Sequence, residues 1–151
     1  MSETLTVDNF APVVGMREKV HALEESMREY EQIDIPIKHY FSQGVYAREM
    51  FVPKGTVLTG KIHKYEQLNI LSQGDVSVAT HEGVKRVQAP FTMVAPPGSK
   101  RAFYAHEDSV WTVIHGTEER DIDKIEAHFI AESEVEYLEF AERLQLEGDA
   151  K

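Results

Sequence analysis

The hydrophobic period of the chain changes twice. Between residues 13 and 30, apolar side chains recur at steps of three and four residues, which predicts a helix with one apolar face. Asp8 or Asn9 is placed to cap this helix, and Pro12 suits its first turn. We expect the apolar face to pack on the rest of the domain or on a second subunit. Its residues are Val13, Met16, Val20, Leu23, Met27 and Tyr30.

Beyond Pro36, which cannot continue a helix, the period shortens to two. Short apolar segments alternate with turn signals such as Pro53-Lys-Gly55 and Pro96-Pro97-Gly98. Many short strands with regular turns predict a sandwich or a jelly-roll barrel. The predicted strands are Val45–Val52, Thr56–His63, Gln67–Ser72, Asp75–Thr80, Val84–Gln88, Phe91–Ala95, Arg101–Ala105 and Val110–Gly116.

After Thr117 the pattern becomes helical again. Asp121 is placed to cap a short helix that would turn Ile122, Ile125, Phe129 and Ile130 inward. Ser133 and Glu136 have the spacing of a capping box that opens a second helix. The apolar face of this second helix is predicted to hold Val135, Leu138, Ala141 and Leu144.

These patterns together predict an all-β domain, a sandwich or a jelly-roll barrel with one N-terminal helix and two short C-terminal helices. The barrel would occupy residues 37–117, with a helical arm over residues 1–36 and a helical extension over residues 118–151. A chain of 151 residues is long enough to bury a core of its own.

Composition narrows the classes of partner. The chain carries 26 acidic and 16 basic residues, a formal net charge of −10, so we expect neither nucleic acid nor an anionic membrane as its partner. It has no cysteine, which excludes disulfides and thiolate metal sites. The sequence has no apolar run of ~18 residues, and its first residues lack the features of a signal peptide, so we expect a cytoplasmic protein.

Candidate chemistry is concentrated between Gly55 and Gly74. Five residues separate Gly55 from Lys61, and His63 and Gln67 follow before Gly74 closes the stretch. This spacing resembles the first motif of the cupin superfamily, which has two histidines and a glutamate where this chain has Lys61, His63 and Gln67.

A second stretch supports the same resemblance. Pro96-Pro97-Gly98 resembles the second cupin motif, in which a histidine stands at the position of Arg101. The two motifs cover about residues 40–116 and imply that the barrel is a cupin-type jelly roll. Within the superfamily, the stretches Lys61–Glu66 and Pro97–Arg101 resemble small phage- and prophage-type cupins, which implies an architecture rather than a particular reaction.

The resemblance implies a metal site that this chain matches poorly. Cupin metal sites use three histidines and a carboxylate, which suit Fe, Mn, Ni or Zn. Lys61 and Arg101 stand at two of these positions, and both side chains are cations that repel a divalent ion. We therefore expect no metal cofactor. The alternative is a divalent metal held by His63 and His115, with Glu66 or His106 as a further ligand.

Strand phasing brings a different set of side chains together. Alternate residues of a strand share a face, so Lys61 and His63 are predicted to point the same way, as are Gln67 and Asn69 on the next strand. In the cupin register these residues meet Arg101 at the mouth of the barrel, and residues of other strands would join them. The predicted ligand-binding residues are Tyr46, Arg48, Lys61, His63, Gln67, Asn69, Arg101 and His115.

Three functions remain open from the sequence. The first is the binding of a small anionic metabolite, such as a sugar phosphate, a nucleotide or a carboxylate, without a metal. The second is an enzyme, either a metal-dependent oxygenase or isomerase, or a metal-free isomerase or lyase with His63 as the catalytic acid or base and Lys61 or Arg101 stabilising negative charge. The third is an interaction protein that uses the barrel as a scaffold. In each case the helical stripe and the cupin resemblance favour a homodimer.

Overall fold

The structure is a computed structural model that describes residues 7–30 and 32–149, with side chains for residues 15–30 and 32–148. The side chains of Asp8, Asn9, Pro12 and Val13 lie outside the described residues. The helices are α1 (Val7–Met27), α2 (Ile122–Phe129) and α3 (Glu134–Asp149). The strands are β1 (Ile37–Ser42), β2 (Val45–Val52), β3 (Val57–Thr59), β4 (Ile62–His63), β5 (Gln67–Gln73), β6 (Asp75–Thr80), β7 (Gly83–Gln88), β8 (Phe91–Ala95), β9 (Ala102–Ala105), β10 (Ser109–Gly116) and β11 (Ile130–Ala131).

Two antiparallel sheets form the jelly roll. One has the order β1-β2-β10-β5-β8 and the other has the order β3-β9-β6-β7, while β4 and β11 make a separate pair. The main hydrophobic core lies between the sheets, where buried side chains of both contact one another. Its members include Met50, Leu71 and Trp111 from the first sheet and Val78 and Phe103 from the second. The predicted all-β fold with one N-terminal and two C-terminal helices is confirmed.

The predicted strand Thr56–His63 is interrupted at Gly60 and Lys61. The backbone N–H of Gly60 donates to the carbonyl of Arg101 at 2.8 Å, and that of His63 donates to the carbonyl of Ser99 at 3.0 Å. The chain then leaves the four-stranded sheet, and β4 pairs with β11, with His63 opposite Ile130. Lys61 and His63 therefore do not belong to one regular strand.

Helix α1 extends along the barrel as far as Met27, ending before the predicted Tyr30. Arg17 is buried on its inner side and donates from Nε and Nη2 to the carboxylate of Glu134 in α3, at 3.0 and 2.9 Å. Its Nη1 donates to the carbonyl of Gly98 at 2.9 Å. Gly98 has φ +82°, and a Cβ there would lie 2.8 Å from Arg17, so only glycine fits this contact.

The C-terminal helices begin as the sequence predicts. The side chain of Asp121 accepts from the backbone N–H groups of Asp123 and Lys124, and that of Ser133 accepts from the N–H of Glu136. The apolar face of α3 differs in part from the predicted one: Ala141 packs against the buried residues below the helix, whereas Val135, Leu138 and Leu144 are exposed. The helix instead packs through its aromatic residues, burying Tyr137 against Ile62 and Ala131. In the described part of the chain, no helix has the length and apolar character to cross a membrane.

Candidate functional site

A cavity of about 540 Å³ opens between the two sheets. Strands of both sheets, the segment before β1 and helix α2 contribute to its wall. The lining residues are Ile33, Asp34, Ile35, Ile37, Tyr46, Arg48, Met50, Leu58, Thr59, Gly60, Lys61, His63, Arg101, Phe103, Trp111, Val113, His115, Ile125, Glu126, Phe129 and Ile130. This volume lies within the range of roughly 300–1,000 Å³ that is typical of small-molecule sites.

The pairing of β2 with β10 builds part of this wall from three successive cross-strand pairs. Tyr46 lies opposite His115, Arg48 opposite Val113, and Met50 opposite Trp111. Because alternate residues share a face, these pairs lie one above another on the inner side of the sheet. The wall is therefore polar at the level of the pair that contains His115 and apolar at the level of the pair that contains Trp111.

Arg101 immediately precedes β9 and is 5% exposed. Its Nη2 donates to the side-chain oxygen of Asn69 at 3.0 Å. With the Gln67 amide oriented to satisfy its neighbours, the Gln67 oxygen accepts from Nη1 at 3.3 Å. Burial lowers the pKa of Arg101 to about 10, because no charge on the described residues offsets the loss of water. Arg101 is thus a buried cation held by neutral groups.

The rings of His63 and His115 stack beside this cation, with centroids 5.8 Å apart and an angle of 18° between their planes. Burial, and then the positive charge of Arg101, lowers the pKa of both imidazoles, that of His115 to about 4. Both rings are therefore neutral at pH 7. Nδ1 of His63, Nδ1 of His115 and Nε of Arg101 are buried without a hydrogen-bond partner among the described residues.

Tyr46 and Arg48 complete the polar part of the wall. The hydroxyl of Tyr46 is hydrogen-bonded to Nδ1 of His39 at 2.6 Å, and its ring is stacked with that of His115. Arg48 is half-buried, and its charge contributes to lowering the pKa of His115. Glu126 of α2 also lines the cavity but is exposed, which places a carboxylate toward solvent rather than beside Arg101.

Two of the predicted ligand-binding residues do not line the cavity, and a third lies at its rim. Gln67 and Asn69 are buried behind Arg101 and do not line the cavity, so they hold the guanidinium instead of facing a ligand. Lys61 lines the rim, where its side chain is 54% exposed and its Nζ lies 3.6 Å from Glu132. The interruption of the strand at Gly60 and Lys61 causes this difference. Because Lys61 and His63 do not belong to one regular strand, their side chains do not point to the same face.

Sequence reasoning missed part of the wall. Ile33, Ile35 and Ile37 line the cavity, although the sequence pattern predicts this segment only as the exit from the helix. Their alternate spacing was the available signal. Glu126 carried no such signal, because it reaches the cavity only through the way α2 packs on the barrel.

The residues at the cupin metal positions do not fit a standard metal site. His63 and His115 are near each other, but Arg101 occupies the place of a further histidine, and Gln67 faces its guanidinium. Glu66 is exposed, and His106 is hydrogen-bonded to Ser77 at 2.7 Å. Among residues 15–30 and 32–148, no group of three or more histidine or acidic side chains is arranged to hold a metal ion.

The fold and the site define a jelly-roll protein with an internal pocket that contains a buried cation. Solved structures identify the type of jelly roll. KdgF from a Halomonas species superposes with a TM-score of 0.50 at 20% identity, over 64% of this chain and 93% of that one. An RmlC-like cupin from Shewanella frigidimarina has a TM-score of 0.49 at 15% identity, over 62% of this chain and 86% of its own.

The protein accordingly has the predicted cupin-type jelly-roll fold, which the order of its sheets and the superposition on KdgF support. No protein-family model matches the sequence, and no match to a curated protein was found. Identities of this size support the fold and leave the ligand and any reaction to be argued from the site.

Proposed function

We propose that the protein binds a small organic anion in the barrel cavity, with Arg101 as its main charged contact. The observation that carries this proposal is the buried guanidinium of Arg101, whose Nε has no partner among the described residues although it lies at a cavity. An uncompensated buried charge costs several kcal/mol of folding free energy. A bound anion would supply the missing opposite charge.

Guanidinium geometry suits this role. Arg101 has five N–H donors, and Asn69 and Gln67 each accept from one terminal nitrogen, which leaves Nε and further N–H groups for a ligand. Two parallel hydrogen bonds from a guanidinium match a carboxylate or a phosphate. Neutral His63 and His115 can add directional hydrogen bonds without bringing further charge.

An enzyme that uses no metal is the second candidate, and it depends on the two unpartnered imidazole nitrogens. The lowered pKa of His63 makes it a weak base in the free protein. A bound anion beside the ring would raise that pKa toward the range that suits general acid–base catalysis.

The phage-type relationship, the homodimer and the cytoplasmic location stay predictions from the sequence.

Thermal unfolding with a panel of carboxylates, sugar phosphates and nucleotides tests the binding proposal. A ligand at 100 times its Kd adds about 2.7 kcal/mol to the free energy of unfolding, which gives a clear rise in Tm. We expect a rise with at least one anion, at least tenfold weaker binding in Arg101→Met, and unchanged binding in Arg120→Met, which removes an exposed charge.

No stabilisation by any anion, or equal stabilisation of wild type and Arg101→Met, would contradict the proposal. Metal analysis of the purified protein tests the alternative site. Near-stoichiometric Fe, Mn, Ni or Zn that is lost in His63→Ala would replace the anion pocket with a metal centre.

A further inference from the structure

The cavity is polar at one end and apolar at the other. Trp111 and His115 stand four residues apart on the same face of β10, a separation of ~13 Å along the strand. His115 is in contact with Phe129 and stacks on His63, whereas Trp111 lies opposite Met50. A ligand that spans the cavity therefore meets a different chemistry at each end.

The apolar end is a rigid aromatic corner. The ring of Phe103 packs edge-on against the indole of Trp111, with centroids 4.7 Å apart, and Met50 and Leu58 extend this surface. The indole N–H of Trp111 already donates to Asn69 at 3.1 Å. Trp111 therefore has only its apolar ring surface to offer a ligand.

The charged end and the aromatic corner are joined at one atom. The side-chain oxygen of Asn69 accepts from both Arg101 Nη2 and Trp111 Nε1. The guanidinium and the indole nitrogen are consequently near neighbours. An anion held by Arg101 would have its own carbon skeleton directed along the surface of Trp111 and Phe103.

The described charged side chains that line the cavity sum to a net charge of +1: Arg48, Lys61 and Arg101 contribute three positive charges, and Asp34 and Glu126 contribute two negative charges. Arg101 and Arg48 are the permanent cations of the described inner wall, since Lys61 is at the rim beside Glu132 and the two imidazoles are neutral. A phosphate monoester carries close to two negative charges at pH 7 and three acceptor oxygens. A carboxylate carries one charge and matches the free edge of a single guanidinium.

Resting on the anion-binding function above, we propose that the ligand is a monocarboxylate with an apolar body, either aromatic or branched alkyl. The carboxylate binds Arg101, and the body packs against Trp111, Phe103 and Leu58. Sugar phosphates and nucleotides are excluded from the preferred class, because they would place hydroxyl groups against a surface without free hydrogen-bonding groups.

Titration calorimetry with four probes tests separately whether binding requires a carboxylate and whether it requires an apolar body. The probes are 3-phenylpropionate, acetate, 3-phenylpropan-1-ol and glucose 6-phosphate. We expect 3-phenylpropionate to bind at least tenfold more tightly than each of the others. Within a series of straight-chain carboxylates, affinity should rise about fourfold per added methylene, as expected for the burial of apolar groups.

A pair of neighbouring residues provides matched variants. Leu58 and Val57 are adjacent on β3, but Leu58 lines the cavity and Val57 is exposed. Leu58→Ser should weaken 3-phenylpropionate binding several-fold and leave the weaker binding of acetate unchanged. Val57→Ser should alter neither. Circular dichroism of both variants checks that the fold is retained.

The possible results are distinguishable. If glucose 6-phosphate or acetate binds as tightly as 3-phenylpropionate and still requires Arg101, the anion pocket stands and the monocarboxylate inference is wrong. The monocarboxylate inference is also wrong, with the anion pocket retained, if Leu58→Ser weakens the binding of 3-phenylpropionate and of acetate equally. If 3-phenylpropan-1-ol binds as tightly as the acid, or Arg101→Met leaves all binding unchanged, the anion-binding function itself is wrong.

Discussion

Arg101 donates to the side-chain oxygen of Asn69 at 3.0 Å, and this contact makes a neutral amide the partner of a buried cation. An aspartate in the same place would neutralise the guanidinium within the fold. Asparagine orients Arg101 but leaves its charge available. The hydrogen bond to Asn69 therefore holds the guanidinium of Arg101 in position and leaves its positive charge free to pair with a bound anion.

Replacement of Asn69 by aspartate should separate stability from binding. Asn69→Asp keeps the shape of the side chain and still accepts from Arg101 and Trp111, but adds a charge that pairs with the guanidinium. We expect the ligand-free variant to be at least as stable as wild type in urea unfolding at pH 7, and its affinity for an anion to fall at least tenfold.

Asn69→Ala is the matched comparison. It leaves two buried donors, Arg101 Nη2 and Trp111 Nε1, without their acceptor, so we expect a loss of about 2–4 kcal/mol in the free energy of unfolding. Asn69→Asp and Asn69→Ala with equal stability would show that the amide oxygen is not what holds the guanidinium.

The pH dependence of stability should report the buried imidazole of His115. Its pKa in the folded protein is about 4, below the ordinary 6.5, because burial and the charge of Arg101 disfavour the imidazolium. Between these values the unfolded chain binds the additional proton. The contribution of His115 to stability is therefore complete above pH 6.5 and is lost as the pH falls toward 4, by on the order of 3 kcal/mol.

Urea unfolding of wild type and His115→Phe at pH 7.0 and pH 5.0 measures this contribution. The variant keeps an aromatic ring against Phe129 but does not titrate, so its stability should fall less than that of wild type over this interval. His128→Phe, at an exposed position, should behave as wild type. An identical loss in wild type and His115→Phe would contradict the assignment.

Helix α1 should stabilise the loop that presents Arg101. Glu24 lies 3.0 Å from the buried ammonium of Lys100 and accepts from the hydroxyl of Thr59 at 2.9 Å. Glu24→Gln leaves the charge of Lys100 uncompensated, so we expect a loss of about 1–2 kcal/mol in the free energy of unfolding and weaker anion binding.

Glu25→Gln is the control for this helix. Glu25 is adjacent to Glu24 but exposed, and it pairs only with exposed Arg28 among the described residues. Its substitution should change stability by less than about 0.5 kcal/mol. Equal effects of the two substitutions would mean that α1 contributes no more to the pocket than an ordinary surface helix does.

Most of the fold could be predicted from local patterns. Period-two segments with glycine and proline turns predicted the strands of the two sheets except β1, and Asp121 and Ser133 predicted the starts of α2 and α3. The apolar face of α3 was predicted correctly only at Ala141, because the large aromatic side chains of Tyr137 and Phe140 pack against the barrel in place of Val135 and Leu138. Sequence periodicity alone does not show which of two possible faces of a helix packs against the rest of the protein.

By itself, the sequence determined the strand pattern and the absence of thiol chemistry, and its resemblance to cupins predicted that His63, Arg101 and His115 meet in one barrel. Only the tertiary structure decided that Lys61 is at the rim and that Gln67 and Asn69 lie behind Arg101. The physical reason is that local patterns set the direction of side chains within a regular strand. The break at Gly60 and the hydrogen bonds of a buried guanidinium arise from contacts between segments distant in the chain.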